Sequence, residues 1–264
     1  FSLPTLMYFK GLPVMSSRVS LNMADGASER CSSPDAGMGL AAAARFLRNG
    51  GVLVFPTETF YGLGCLAANA EAVARVYQLK HRPVHKPLPL LAAHAAQVDA
   101  VADIAAMPQG LLAFWPGPLT VLLPARSCLP QALVNGQGLA AVRVTPHPLA
   151  AQLAEQAGGA LTASSANLSG GVPVCSPDEL DPVLLEALRR MAQTMPCTDG
   201  CAAQAAKAEV PLPLALGGPL PAGGLPSTVV EPLSGGNGGA GRLRIVRAGA
   251  VSAAALEAAG FTLE

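Results

Sequence analysis

From Pro34 onward the apolar positions keep changing period, from the 3.6-residue spacing of a helix to the short unbroken runs of a buried strand. The stretch "DAGMGLAAAARFLRNGG" at 35–51 predicts a helix stopped by Gly50 and Gly51, and "VLVFP" at 52–56 predicts a buried strand. Asn69 caps a second predicted helix, whose Val73, Val76, Tyr77 and Lys80 recur at helical spacing until Pro83 ends it. "PLPLLA" follows as a strand. Helical stretches then fall near 94–103 and 109–115, strands near 118–123 and 139–144, a helix at 148–157 and a strand at 160–163. A helix at 178–193 has acids in its first turn and Arg189 and Arg190 in its last, as the helix dipole favours. "STVVE", "RLRIVR" and an Ala-rich helix close the pattern. Strands alternating with helices predict an α/β fold, a layered domain with a mixed twisted sheet.

Composition narrows the function classes. Of 264 residues, 51% are apolar, ample for a core, yet no run of about 18 uncharged apolar residues occurs, so no membrane span is expected. The 17 basic and 17 acidic residues cancel, which argues against non-specific coating of nucleic acid. The six cysteines are scattered in a chain too large to need disulfide staples, and read as free thiols in a reducing compartment. Cys197 and Cys201 in "CTDGC" lack the two further ligands that a zinc site needs. Residues 1–24 contain Lys10, Arg18 and four serines but no acid, so 1–34 read either as an organelle transit peptide or as a disordered tail. A cytoplasmic location is expected, with mitochondrion or plastid as the alternative. Residues 35–264 form the expected folded domain, with 202–225 and 234–241 as flexible insertions outside its core.

The candidate chemistry begins at "RVYQLKHRPVHK", residues 75–86, which holds Arg75, Lys80, Arg82 and Lys86 without an acid. Between Ala72 and Ala154 stand six cations and two acids, a local excess in a neutral chain. A helix C-terminus accounts for Lys80 but not for Arg82 and Lys86. "GLGCLA" at 62–67 matches a loose dinucleotide fingerprint. It lies six residues beyond the strand end at Pro56, however, and about 20 residues later come Lys80, His81 and Arg82 instead of an acid. Gly62 and Gly64 are therefore expected in a tight turn. No Walker A sequence is present. "TASSANLSGG" at 162–171 ends a strand with hydroxyls and backbone N–H groups, and reads either as an anion nest or as ordinary turn capping. "PTETFYG" at 56–62 is a polar loop after an apolar strand, a place where open α/β sheets bind ligands.

Seven segments in order, "GGVLVFPTETFYGLG", "LKHRPVHKPL", "FWPGPLTVLL", "AAVRV", "TASSANLSGG", "STVVE" and "RIVRAG", resemble the YrdC family, the threonylcarbamoyl-AMP synthases, from about Gly39 to Gly260. The resemblance implies a YrdC-like three-layer domain and a nucleotidyltransferase. The enzyme would condense L-threonine, bicarbonate and ATP into threonylcarbamoyl-adenylate, release pyrophosphate and supply a downstream tRNA threonylcarbamoyltransferase. It implies ATP binding by Lys80, Arg82, Lys86, Asn167 and Arg247, and threonine binding by Thr59, Arg143, Ser165 and Ser227. Lys80, Arg82, Ser165 and Asn167 would be the catalytic set, and Mg²⁺ would accompany ATP, held mostly by phosphate oxygens and water. Glu58 is the one acid in these motifs.

Departures from the family pattern include His81 in place of its usual glycine, expected to matter little. A proline after Arg143 is displaced by one residue, and Leu91 stands where some members present a histidine to threonine. The insertion before "STVVE" loosens the placement of Ser227. The glycine tether 234–241 is a candidate hinge for closure over a product that water would hydrolyse. Two alternatives are carried. One is an RNA-binding module of the same fold without synthase activity, for which 4% aromatic residues are few, and a direct tRNA contact is left open. The other is a carbamoyl-transferring hydrogenase maturation protein, which would need zinc-finger and acylphosphatase-like regions that the sequence does not display.

Overall fold

A computed structural model describes residues 37–195, 212–215, 217–233 and 241–264. In chain order its first half has strand β1 (Gly37–Met38), helix α1 (Leu40–Arg48), the strands β2 (Leu53–Pro56) and β3 (Tyr61–Gly64), α2 (Ala70–Lys80), β4 (Leu90–Ala92), α3 (Ala95–Asp99) and β5 (Leu119–Pro124). The second half adds β6 (Leu139–Val144), α4 (Pro148–Ala157), β7 (Leu161–Thr162), β8 (Ser164–Ser165), α5 (Pro182–Thr194), β9 (Leu212–Ala215), β10 (Thr228–Leu233), β11 (Arg242–Arg247), α6 (Ala253–Ala258) and β12 (Thr262–Leu263).

The strands form two mixed sheets flanked by helices, an α/β fold as the sequence pattern predicts. One has the order β1-β9-β2-β3-β8, the other β12-β11-β10-β5-β6-β4-β7. In the first, β9 lies parallel to both β1 and β2, while β3 runs antiparallel to both β2 and β8. The unbroken apolar run of β2 follows from burial on both faces. Val54 joins one core cluster with Leu63, Leu90 and Val142, whereas Leu53 and Phe55 point to a second with Leu47, Leu91 and Leu153.

Local signals set the helix ends. The Asn69 side chain accepts the Ala72 N–H at 2.9 Å to start α2. Pro148 and the His147 side chain open α4, and Gly158, at φ 86°, closes it. The acids expected in the first turn of the 178–193 helix lie one turn earlier. Ser176 and Glu179 make a capping box around a separate 3₁₀ turn, Pro177–Glu179, and Asp181 caps α5.

One expectation is overturned. The segment 202–225 is not wholly a flexible insertion outside the core, because its residues 212–215 form β9, a buried strand between β1 and β2 with Val54 opposite Leu214. Pro211 and Pro213 break the apolar alternation and mask the strand signal, since proline in a run ordinarily argues against a central strand. The readings placed on 1–34 and 234–240, including transit peptide and hinge, lie outside the described residues, as do Cys31, Cys197 and Cys201.

Candidate active site

The site is built where the two sheets meet. After β7 in the larger sheet the chain passes through Ala163 and enters the smaller sheet as β8, where Ser165 pairs with Gly62 and Ser164 with Leu63. This crossing brings Thr162 against β3: its N–H donates to the Cys65 carbonyl at 2.8 Å, and its hydroxyl accepts the Cys65 N–H at 3.0 Å. Gly62 and Gly64 lie within β3 and not in a tight turn, which corrects that expectation. The need at Gly64 is for space, since a Cβ there would lie 1.6 Å from the Thr162 carbonyl oxygen. The turn is Thr57–Phe60 instead, joining β2 to β3, with the Thr57 hydroxyl donating to the Phe60 carbonyl at 2.7 Å.

Two adjoining cavities open over this junction. One, of about 240 Å³, is lined by Thr59, Arg82, Arg143, Ser165, Ser227 and Arg247, with Tyr61, Pro173 and Pro226 among its other walls. The second, of about 190 Å³, is lined by Lys80, Arg82, Lys86, Ser165, Asn167 and Ser169. Arg82, Ser164 and Ser165 belong to both, so the two are lobes of one cleft. The four residues that the resemblance gives to threonine share the first lobe. Lys80, Lys86 and Asn167 share the second, Arg82 lies at the boundary, and Arg247 stands in the first lobe.

Lys80, Arg82 and Arg247 are each tied to backbone carbonyls. Lys80 ends α2, yet its side chain is 2% exposed and its ammonium donates to the carbonyls of Ser165 and Asn167, both at 2.5 Å. Burial, with the Arg82 charge as a second cause, pulls its pKa down to about 8. Ser169 returns the tie, donating its hydroxyl to the Lys80 carbonyl at 2.7 Å. Arg82 donates from Nε to the Lys86 carbonyl at 2.8 Å and from a terminal nitrogen to that of Pro87 at 3.1 Å, closing the basic loop on itself. Asn167 donates to the carbonyls of Leu168 and Gly171 at 2.9 and 2.6 Å.

Arg247 donates to the carbonyl of Ser227 at 2.6 Å and to its hydroxyl at 3.0 Å, and the same hydroxyl lies 2.9 Å from Thr120 Oγ1. Burial lowers the pKa of Arg247, and the charges of Arg143 and Arg82 across the cleft lower it further. Such an array, desolvated and pre-positioned, stabilises a polyanion.

Sequence reasoning missed Thr145. Glu58 Oε1 lies 2.7 Å from Arg143 Nε in an ion pair whose N–H is not aimed at the oxygen, and Oε2 accepts the Thr145 hydroxyl at 2.6 Å. These contacts join residues 85 and 87 positions apart in number, beyond any local spacing rule. Leu91 is fully buried in the core and does not line the cleft, so no histidine-like contact is offered there. His81 takes the left-handed conformation, φ 49°, at the end of α2, which accounts for a glycine being usual at that place.

Among the described residues no cluster of three or more His, Cys, Asp or Glu side chains could hold a metal ion, and Glu58 is already engaged by Arg143 and Thr145. No helix among the described residues is long and apolar enough to cross a membrane. Cys65, Cys128 and Cys175 are free thiols, and burial pushes that of Cys65 up to about 12.

Fold and cleft together define an α/β protein with a cation-lined cleft at the junction of two mixed sheets. The Sua5/YciO/YrdC family, described as "Telomere recombination", matches residues 45–203, and the chain belongs to that family. It is 44% identical over 146 residues to the threonylcarbamoyl-AMP synthase of Methylococcus capsulatus, a match covering 54% of this chain and 78% of that relative. Among solved structures it is similar to a doubly substituted P. abyssi Sua5, at TM-score 0.66 and 27% identity, over 85% of this chain and 61% of that one. The P. abyssi Sua5 complexed with L-threonine gives TM-score 0.64 and 26% identity, over 85% of this chain and 58% of that one. The chain thus spans about three fifths of the length of the Sua5 structures.

Proposed function

We propose that the protein is a threonylcarbamoyl-AMP synthase, in which the first lobe takes L-threonine and the second the triphosphate of ATP. One observation carries the division of labour: Arg82 and Ser165 are common to both lobes, so a nucleophile held in one reaches an electrophile held in the other across a shared cation. Threonine's amine adds to bicarbonate with loss of water to give a carbamate. A carbamate oxygen then forms a bond to the α-phosphorus, and the bond to the bridging oxygen breaks, releasing pyrophosphate. Both partners are anions, so their repulsion dominates the barrier, and fixed cations lower it without a Ser-His pair or paired carboxylates.

In this reading Arg143, Ser165, Thr59 and Ser227 hold the amino acid, while Lys80, Lys86 and Asn167 hold the phosphates. Arg82 meets the charge that develops at the α-phosphate, and Arg247, which lines the first lobe, meets the nucleotide from that side of the shared wall. Mg²⁺ arrives with ATP, on phosphate oxygens and water. The product is passed to a tRNA threonylcarbamoyltransferase. A reducing, ATP-rich compartment such as the cytoplasm suits both the chemistry and the free thiols. The RNA-binding module is set aside, because the curated relative carries the synthase name.

The test incubates the protein with ATP, Mg²⁺, bicarbonate and labelled threonine. Pyrophosphate release that depends on both small substrates is the expected result. Release indifferent to threonine, or salt-sensitive tRNA binding unaffected by ATP, would overturn the reading.

A further inference from the structure

Glu58 stands apart from the groups discussed so far: it does not line the cleft, yet it is engaged with a residue that does. It sits in the Thr57–Phe60 turn of the smaller sheet, while Arg143 and Thr145 lie at the end of β6 in the larger one. Its two carboxylate oxygens therefore fasten one sheet to the other beside the first lobe. Arg143 is 4% exposed, and a guanidinium so buried is costly unless a counter-charge accompanies it. The carboxylate lies against Nε, the inner nitrogen, so the pair is held by charge and close packing and not by an aligned hydrogen bond, and Arg143, which lines the first lobe, keeps its guanidinium donors for a second anion. Thr145 is fixed in turn, its N–H donating to the Ala92 carbonyl at 3.0 Å and its hydroxyl accepting the His147 N–H at 3.1 Å.

We infer that Glu58 is a positioning residue that sets the specificity of the first lobe: it aims Arg143 at an amino-acid carboxylate and, by cancelling one charge, keeps the lobe from taking isotropic polyanions such as sulfate or stray phosphate. The inference rests on the proposed function. A fork held at a fixed angle favours a planar carboxylate, whereas an unaimed, uncompensated guanidinium attracts any anion. Removing the negative charge therefore moves two affinities in opposite directions, which mere loosening of the fold does not do.

The variants are Glu58→Gln, which keeps the shape and loses the charge, and Thr145→Val, which keeps the charge and loses the hydroxyl that donates to Glu58 and accepts the His147 N–H. For Glu58→Gln the threonine KM is expected to rise about tenfold or more with the ATP KM within about twofold, a split that marks lost substrate positioning. For Thr145→Val the same split is expected at about threefold. Calorimetric titration of the free protein with sodium sulfate should show Glu58→Gln binding sulfate at least about threefold tighter than wild type, as expected when a neighbouring like charge is removed. Threonine and ATP KM rising together, or sulfate affinity unchanged or weaker, would overturn the inference. If Glu58→Gln does not fold, Thr145→Val decides alone, and an unchanged threonine KM overturns it. A wild-type protein with no threonine-dependent pyrophosphate release sinks the functional reading instead, and sulfate titration still decides the charge argument.

Discussion

The Lys80 ammonium lies 2.5 Å from the carbonyl oxygen of Asn167, so the last residue of α2 and the turn that follows β8 are joined directly. Two motifs 87 residues apart in sequence form one unit in space. Truncation at Lys80 both removes a cation from the second lobe and leaves two carbonyls without their donor. Lys80→Ala is therefore expected to cut threonine-dependent pyrophosphate release by at least about tenfold. It should also lower stability by about 1–3 kcal/mol in urea unfolding.

Arg82→Ala should reduce the same release by at least about tenfold, the scale of one lost transition-state cation. Arg82 also closes the basic loop through the Lys86 and Pro87 carbonyls, so proteolytic nicking within 83–87 should become faster in the variant. Wild-type rates would contradict its place between the lobes.

A pH experiment tests the buried amine. Lys80 has a folded pKa of about 8 against its ordinary 10.5, so between these values the unfolded chain binds the extra proton. On this account stability rises with pH across that window. Phosphate binding moves the other way, because an amine that has lost its proton no longer attracts the nucleotide. The kcat/KM for ATP should fall above pH of about 8 while urea midpoints rise, and Lys80→Arg, charged throughout, should remove both inflections.

His81 occupies a left-handed backbone position, φ 49°, that glycine takes without penalty. His81→Gly is expected to raise stability by about 0.5 kcal/mol, the relief of strain being offset in part by the freer unfolded chain. Activity should be unchanged.

Gly64→Ala tests the joint between the sheets. The added methyl would meet the Thr162 carbonyl at 1.6 Å, and backbone cannot yield as a side chain does. A loss of about 3 kcal/mol or more is expected in urea unfolding, together with poor soluble yield.

Helices with capping signals were legible to within a few residues, as at α2 behind Asn69 and α4 behind Pro148, because their cues are local. Strands such as β8, two residues long, and β9, with Pro213 inside it, carry no periodicity to read. Their pairing is fixed by partners far away in sequence. The candidate site residues could be named from motifs, and the structure brings them to one cleft. The pairing of Glu58 with Arg143 and Thr145 could not be read, since it depends on how two sheets meet. The left-handed turn at His81 was hidden for a different reason: a non-glycine residue gives no hint of positive φ.

Ser227 and Arg247 ride on the late strands β10 and β11, which complete the larger sheet beside β5. Lys80, Arg82, Ser165 and Asn167 thus leave the ribosome well before Ser227 and Arg247. A copy halted between Asn167 and Ser227 holds the residues of the second lobe without the wall that Ser227 and Arg247 give to the first.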